Sequence, residues 1–496
     1  MTALRSWYNM YEVHIAPLRM QNVKRRMRDM DMLQMSTAMR NNEKISMRDQ
    51  YKLVVALSVP AILEQLVMTL MNYIDTAMVG GLGYKATAAI GVVASSIWLL
   101  NGITGSACIG FSVQIAQYLG AGKEKESRNV LCQAILFNLF FGVALAILSV
   151  GIGQVLPSWL GAEEAIQADA KAYFNIVGMF VPFSMGAAMY SSVLRCSGNI
   201  MLPSIMNVGM CFFDVIFNFF LIYPTRQIGG FTVPGAGLGV KGAALGTGLA
   251  QACVAILLLV VVIRKEGPLR LRGNETWKFT KLCMKNTVNL SMPAALERVT
   301  LSMAQIVMTS IVTGMGAVSV AVNYVAVQTE SICYLPAYGV ATAATALVGQ
   351  SIGARRKDMA KRFAYSTTIL GAGLVTVMAV LMFAFAPTLT GFLTTDSEVI
   401  DLSIQALRIV AFSEPLFAVS IVVIGALRGA GDSRGPFLLN LLSMWGVRVL
   451  SVLLFAHKWG ILGVWGAMSA ELVFRGIIFL VRLLRGRWTE KNTMVA

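Results

Sequence analysis

Charged residues are scarce in this chain of 496 residues. Asp, Glu, Lys and Arg make up 13% of it, whereas hydrophobic residues make up 56% and the mean hydropathy is +0.67. A soluble domain carries roughly twice that share of charge. The composition excludes a soluble globular protein, because so few charged side chains could not cover so much apolar surface. It indicates a protein embedded in a membrane.

Histidines, paired cysteines and nucleotide-binding motifs are also lacking. The only histidines are His14 and His457, which excludes an HExxH metalloprotease and multi-histidine metal chemistry. The seven cysteines form no CxxC pair, which argues against a disulfide framework or a structural zinc site. No GK[ST] phosphate loop occurs either. We therefore predict a protein that is not an enzyme and holds no cofactor or structural metal. Any transport by it would be driven by an ion gradient, unless a partner hydrolyses ATP.

Long apolar stretches dominate the chain after residue 50. A membrane-spanning helix needs about 20 mostly apolar residues. Residues 1–50 contain no such stretch and are rich in Lys and Arg, so we predict a basic, disordered cytoplasmic tail there. The remainder predicts twelve spans, at 52–79, 86–118, 129–154, 166–193, 203–223, 239–263, 283–312, 317–351, 363–386, 398–426, 436–456 and 460–484.

The basic residues indicate how these spans are oriented. If both termini are cytoplasmic, only five basic residues fall in outer loops: Lys85, Lys171, Arg226, Lys241 and Lys458. Cytoplasmic loops of membrane proteins carry the excess of Lys and Arg. The net charge of +16 is then explained by cytoplasmic loops, and no nucleic-acid partner is needed to account for it. We predict a multi-pass protein of a bacterial inner membrane with both termini in the cytoplasm.

An internal repeat divides the chain into two halves. The motif Leu57-Ser58-x-Pro60-Ala61-x-Leu63-Glu64 recurs 233 residues later, from Leu290 to Glu297. Four further matches keep this offset: Gln117-x-x-Gly120-Ala121 with Gln350-x-x-Gly353-Ala354, Pro182 with Pro415, Leu194-Arg195-x-x-Gly198 with Leu427-Arg428-x-x-Gly431, and Asn207 with Asn440. The offset shortens to 224 at Gly239 and Gly463, so the first half has a loop nine residues longer within 224–238.

The repeat predicts the architecture. Each half has six spans, an even number, so the halves have the same orientation and are related by a pseudo-twofold axis along the membrane normal. The predicted fold is an all-α integral membrane protein of two parallel six-helix lobes. We place the N-lobe at 51–263, a basic cytoplasmic linker at 264–282, the C-lobe at 283–485 and a cytoplasmic tail at 486–496.

Ionisable residues inside spans are costly in a membrane and mark candidate functional sites. Asp75, Asp214 and Asn218 could supply oxygen ligands for a proton or a sodium ion, together with Asn72. Candidates for a substrate site or a second-lobe ion site are Glu64, Glu297, Glu330 and Glu414. The alternative is that such acids form structural ion pairs. Glu471 and Arg475, spaced i and i+4 on one helix, fit that alternative.

Three motifs resemble the multidrug and toxic compound extrusion (MATE) family, within a wider group that includes flippases of lipid-linked oligosaccharides. They are Tyr73-Ile74-Asp75-Thr76-Ala77-Met78-Val79-Gly80, Gly349-Gln350-x-x-Gly353-Ala354 and Ala426-Leu427-Arg428-Gly429-Ala430-Gly431-Asp432. The resemblance covers about 50–485. It implies that the first-span aspartate of the family is Asp75. It also implies a fifth-span pair four residues apart, which here is Asp214 and Asn218, in the reverse of the usual order.

The resemblance implies secondary active efflux of small cationic or amphipathic compounds. Export would be coupled to H⁺ or Na⁺ antiport, with Na⁺ near Asp75, by alternating access between the lobes. Many relatives carry a seventh-span glutamate where this chain has Leu301, and the nearby acid is Glu297. The expected partners are small-molecule substrates and membrane lipid, and the expected state is a monomer. The alternative function is a flippase for a lipid-linked oligosaccharide, which the span arginines Arg298, Arg408 and Arg448 keep open.

Overall fold

The fold is a bundle of long helices in two lobes. The computed structural model describes residues 41, 45–228, 231–264 and 266–490. The predicted basic tail lies outside this part of the chain, except for residue 41 and the stretch from residue 45. The last six residues of the predicted C-terminal tail also lie outside it.

The N-lobe contains the first six spans. The first span begins after Ser46, whose hydroxyl accepts a hydrogen bond from the backbone N–H of Arg48. The fourth span consists of two helices bent by 46° where Pro182 enters the second of them. The spans are Met47–Gly80, Tyr84–Gly120, Glu124–Gly153, Glu164–Met179 with Val181–Cys196, Met201–Ile222 and Val240–Arg264, and a short helix, Leu156–Trp159, precedes the fourth.

The C-lobe repeats this plan except in its last two spans. Its tenth span is bent by 56° near Pro415, the repeat partner of Pro182. Its last two spans form one helical run of 52 residues from Arg434 to Arg485, about 78 Å at 1.5 Å per residue. That length exceeds twice the thickness of a bilayer core. Gly460, with φ 58° and ψ −139°, breaks the run into the eleventh and twelfth spans. The spans are Lys281–Thr313, Ala317–Gly353, Lys357–Gly391, Ser397–Ala411 with Glu414–Gly429, and the halves of Arg434–Arg485 on either side of Gly460, in which Leu442–Val449 is π-helical.

The twelve-span, two-lobe, all-α fold predicted from the sequence is confirmed in the described residues. The one departure there is a small antiparallel hairpin, β1 (Pro224–Ile228) and β2 (Phe231–Ala236), between the fifth and sixth spans. It occupies the longer loop that the change of offset predicts. We call the face of the bundle that carries it the hairpin side, and the opposite face the linker side.

The linker is held against the third span. Arg128 of that span donates from Nε to Glu275 Oε1 at 2.9 Å. Glu275 also accepts the backbone N–H groups of Arg272 and Gly273, at 3.0 and 2.8 Å. Burial opposes the charge of Glu275, but these hydrogen bonds outweigh it and hold the pKa of its carboxyl below the usual value. The connection between the lobes is therefore a folded element attached to the N-lobe.

The lobes meet on the linker side, where two repeat-related motifs cross. Gln117 donates from Nε2 to the carbonyl of Gly429 at 3.2 Å, and Gln350 donates to the carbonyl of Cys196 at 2.9 Å. The backbones approach so closely that a Cβ on Gly120 would lie 2.1 Å from the carbonyl oxygen of Gln350. A Cβ on Gly353 would lie 2.0 Å from the carbonyl oxygen of Gln117. We call this crossing the linker-side seal.

Towards the hairpin side, polar side chains on the inner spans are exposed. They are Asn72 and Thr76 on the first span, Asn101 on the second, and Gln305 and Thr309 on the seventh. Exposure of such groups to lipid would be costly. Their exposure therefore favours a water-accessible cleft between the lobes that opens on the hairpin side and ends at the linker-side seal.

Candidate functional site

The N-lobe contains a cluster of buried acids. Asn218 donates from Nδ2 to Asp75 Oδ1 at 3.0 Å and to Asp214 Oδ1 at 3.1 Å. Asp214 is 5% exposed and Asn218 is 1% exposed, while Asp75 is half-buried. The fifth span presents Asp214 and Asn218 on one face because they are four residues apart. The structure thus brings together the three residues predicted to couple transport to an ion.

The neighbours of this cluster add further oxygen atoms and the space that it needs. Thr247 of the sixth span lies within reach of Asp214, and Tyr173 of the fourth lies close to both carboxyl groups. A Cβ on Gly246 would lie 2.1 Å from Asn218 Oδ1, so only glycine leaves room for the amide. That oxygen is buried and accepts no hydrogen bond from the described residues. The structure leaves Asn72 exposed and outside the cluster.

Each lobe contains one buried glutamate that forms the same ion pair as its counterpart in the other lobe. In the N-lobe, Glu64 pairs with Arg195 and accepts the amide of Asn207 at 2.7 Å. In the C-lobe, Glu297 pairs with Arg428 at 3.0 Å and accepts the amide of Asn440 at 2.9 Å. All three members are 233 residues apart from their counterparts. We call these two sets the Glu–Arg–Asn triads. The repeat motifs contained every member, but the constant offset matches each residue to its counterpart in the other lobe and does not show which residues of one lobe meet.

The C-lobe carries a second pair of acids, which have no counterparts in the N-lobe. Glu330 of the eighth span and Glu414 of the tenth are 3% and 0% exposed, and their carboxyl groups are adjacent. Both Glu414 oxygens and Glu330 Oε1 are buried without a hydrogen-bond donor among the described residues. Adjacent carboxyl groups can hold a proton or a cation between them. These two glutamates are thus candidates for a second ion site.

The predicted pair of Glu471 and Arg475 forms, and it has a third member. Glu471 is fully buried, contacts Arg475 at 2.6 Å and also contacts Arg448 at 2.7 Å. Arg448 lies in the π-helical segment of the eleventh span, where the backbone departs from α-helical geometry. Sequence spacing could predict the pair on one helix, but it carried no signal for the contact between two spans.

Between the lobes, next to the linker-side seal, lies a cavity of about 260 Å³. Both lobes contribute to its wall. We call it the central cavity. Its charged lining residues are Arg195, Glu297, Arg298, Arg428 and Arg475. Tyr338 also lines it, and the apolar lining residues include Ile109, Leu301, Phe417, Ile421 and Ile424.

Comparison with known proteins identifies the family. The sequence profile of the MatE family matches this chain twice, over residues 60–220 and 293–454. The two matches begin 233 residues apart, which is the offset of the repeat.

This chain belongs to the MatE family.

Other MatE proteins resemble it over nearly their whole length. A probable multidrug resistance protein NorM of Thermotoga maritima is 26% identical over 448 residues, which are 89% of this chain and 94% of the relative. The multidrug resistance protein NorM of Aliivibrio fischeri is 24% identical, covering 88% and 95%. The crystal structure of a mutant of the Vibrio cholerae MATE transporter VcmN matches with a TM-score of 0.82 at 18% identity, covering 90% and 99%.

Membership of the MatE family confirms three of the sequence predictions. The chain is a multi-pass membrane transporter of small molecules, it is not an enzyme, and its twelve spans form two lobes. The coupling ion, the substrates and the roles of the acids stay predictions.

Proposed function

We propose that this MatE protein exports small molecules from the cytoplasm in exchange for H⁺ or Na⁺ that enters through the Asp75, Asp214 and Asn218 cluster. The observation that carries the proposal is this cluster itself. Two carboxyl groups from different spans share one amide donor, and a buried amide oxygen beside them lacks a donor among the described residues. Carboxylate and amide oxygens are suitable ligands for a hard cation, and the carboxylates can take a proton instead.

The orientation follows from the basic residues. With the linker side in the cytoplasm, the Lys and Arg residues are concentrated on the cytoplasmic face, as in other inner-membrane proteins. The linker-side seal then closes the central cavity to the cytoplasm, while the cleft opens to the exterior. This arrangement corresponds to the state that releases substrate outside and takes up the coupling ion. Rocking of one lobe against the other would open the opposite side.

The same cluster explains how an ion could bias the lobes. Asp75 belongs to the first span, which contacts the eighth span of the other lobe, whereas Asp214 belongs to the fifth. An ion bound between them holds the first and fifth spans together and reduces the repulsion between two carboxylates. Loss of the ion to the cytoplasm would release the first span, so ion binding and lobe position become linked.

Export from proteoliposomes tests this function. H⁺ and Na⁺ gradients are imposed separately, and the transport of rhodamine 6G and of carboxyfluorescein is followed by fluorescence. We expect one gradient to drive transport by the wild type. Asp75→Asn and Asp214→Asn should reduce it to the rate without a gradient. The matched control is Asp401→Asn, an exposed acid of the tenth span, which should transport at the wild-type rate. Full gradient-driven transport by Asp75→Asn would exclude the proposed coupling site.

Thermal unfolding separates the two ions. If Na⁺ binds the cluster, NaCl at a hundred times its dissociation constant should stabilise the wild type by about 2.7 kcal/mol relative to choline chloride. Asp75→Asn should lose that stabilisation and Asp401→Asn should keep it. Equal midpoints in both salts for the wild type would assign the coupling to H⁺.

A further inference from the structure

The central cavity presents an excess of positive charge. Four guanidinium groups line it, from Arg195, Arg298, Arg428 and Arg475, against the single carboxylate of Glu297. Three of the arginines have an acidic partner: Arg195 has Glu64, Arg428 has Glu297 and Arg475 has Glu471. Glu471 also contacts Arg448, so its single negative charge is shared between two arginines. The acids that contact these arginines are therefore fewer than the arginines.

Arg298 is the cavity arginine without an acidic partner in the described part of the chain. It is exposed, and the aliphatic part of its side chain lies on Gly102 of the opposite lobe, where a glycine Cβ would be 3.4 Å from the Cβ of Arg298. Arg298 therefore projects across the interface between the lobes. Its repeat counterpart in the N-lobe is Gln65, so the charge is not duplicated.

The neighbouring donors point to the same kind of ligand. Arg195 and Arg428 each have a buried Nε donor without an acceptor among the described residues. Tyr338, whose side chain carries a hydroxyl donor, also lines the cavity. Guanidinium groups with free donors match planar carboxylates and phosphates, which accept two hydrogen bonds at once. The apolar wall of Leu301, Phe417 and Ile421 suits an attached hydrophobic body.

From this geometry, and on the basis of the proposed export function, we infer that the central cavity binds an amphipathic anion whose oxyanion group contacts Arg298. The oxyanion is a carboxylate, phosphate or sulfonate. The sequence had predicted cationic or amphipathic substrates, and the cavity lining favours the amphipathic ones that carry a negative charge. An interior-negative membrane potential would also favour the outward movement of such a substrate.

Glu330 and Glu414 are the acids that could oppose this charge, and neither lines the cavity. Both lie beside Cys333 within the C-lobe, and Glu330 also lies near Arg448. The N-lobe cluster of Asp75 and Asp214 does not line it either. The acidic sites and the basic cavity are thus separate regions of the molecule, which suits an ion of one sign and a substrate of the other.

Equilibrium binding with two dyes of one ring system tests the inference. Carboxyfluorescein and rhodamine 6G are both xanthenes, the first anionic and the second cationic. Fluorescence polarisation with purified protein in phosphatidylcholine nanodiscs should show tighter binding of carboxyfluorescein. Arg298→Gln should weaken that binding about tenfold to a hundredfold, the range for a hydrogen bond to a charged group, and Arg298→Glu should weaken it further. The matched control is Arg408→Gln, an exposed span arginine outside the cavity, which should bind both dyes as the wild type does.

A lipid headgroup could supply the same oxyanion, so a second set of nanodiscs contains phosphatidylglycerol. If the lipid occupies the site, it should compete with carboxyfluorescein in the wild type, and Arg298→Gln should abolish the competition. That result would keep the oxyanion site and assign it to a lipid-linked ligand, as in a flippase. Unchanged carboxyfluorescein binding by Arg298→Gln, or tighter binding of rhodamine 6G by the wild type, would overturn the inference.

Failure of the export function would look different. These measurements use no ion gradient, so they do not depend on coupling through Asp75. Anion binding that persists while neither gradient drives transport would reject the antiport function and leave the cavity assignment in place. Gradient-driven export of rhodamine 6G that is unaffected by Arg298→Gln would do the reverse.

Discussion

The two lobes share a framework and differ in their ionisable residues. The Glu–Arg–Asn triads, the bent fourth and tenth spans and the Gln-Gly motifs of the linker-side seal occur in both. The acid cluster occurs once, because Met308, Val447 and Ser451 stand where the C-lobe would repeat Asp75, Asp214 and Asn218. The C-lobe instead has the Glu330 and Glu414 pair and the arginine contacts of Glu471.

This difference separates architecture from chemistry. Residues that hold spans together had to be kept in both halves, since each lobe must fold as a six-span unit. Residues that bind an ion or a substrate needed to be present once, so the halves could diverge at those positions. At the shorter offset that applies beyond the hairpin, Glu471 corresponds to Thr247. The same position thus faces an acid cluster in one lobe and an arginine pair in the other.

Removal of the glutamate from either triad should cause the largest loss of stability, and the loss should be equal in the two lobes. Glu64→Ala leaves Arg195, whose side chain is 14% exposed, without its carboxylate, and Glu297→Ala does the same to Arg428, at 16%. Breaking a buried ion pair from one side costs about 3–5 kcal/mol. Unfolding midpoints in detergent would measure the loss of stability.

The control for the triads removes both charges together. Glu64→Leu combined with Arg195→Met should destabilise less than Glu64→Ala, because no charge is left buried alone. A large loss in one lobe and none in the other would contradict the view that the triads are shared framework.

Loss of the amide that Asp75 and Asp214 share should destabilise the protein, whereas the corresponding change in the C-lobe should not. Asn218→Ala removes the donor that bridges Asp75 and Asp214, and a buried acceptor left without its donor costs about 1–3 kcal/mol. Its counterpart, Ser451→Ala, should change stability by less than about 0.5 kcal/mol, because no hydrogen bond of that hydroxyl is present in the described residues. Equal unfolding midpoints for the two variants would remove the asymmetry on which the coupling site rests.

The smallest effect should come from one turn on the linker side. Gly122, with φ 74°, has Arg355 as its repeat counterpart, and Arg355 adopts φ 60° although it is not glycine. Left-handed backbone costs such a residue about 1 kcal/mol. Arg355→Gly should therefore stabilise by up to about 1 kcal/mol, and Gly122→Ala should destabilise by a similar amount. Opposite shifts of the thermal midpoint would check this, whereas shifts of the same sign would contradict it.

The sequence was informative wherever a pattern is local or repeated. The predicted spans fall close to the observed ones, such as 52–79 against Met47–Gly80, because apolar length determines what can cross a bilayer. The longer loop before the sixth span was predicted from the change of offset, although its β-hairpin was not. Asp75 and Asp214 could be joined because each is an acid within a span that needs a partner.

Contacts between spans carried no such signal. Nothing in the spacing of Glu64 and Arg195 shows that they meet, since they are 131 residues apart. The π-helical segment that carries Arg448 was also missed, because it depends on how the eleventh span packs and not on its hydropathy. The central cavity gathers lining residues from seven spans, so it could not be derived from any one segment.

The linker-side seal has a consequence for the origin of the chain. Gln117 contacts the carbonyl of Gly429 and Gln350 contacts that of Cys196, and Gly429 is the repeat counterpart of Cys196. Each half therefore offers the other the same surface that it receives, which is the definition of an isologous interface. A homodimer of single six-span subunits could have made both contacts before the halves were fused. The folded linker is then the segment that turned two subunits into one chain.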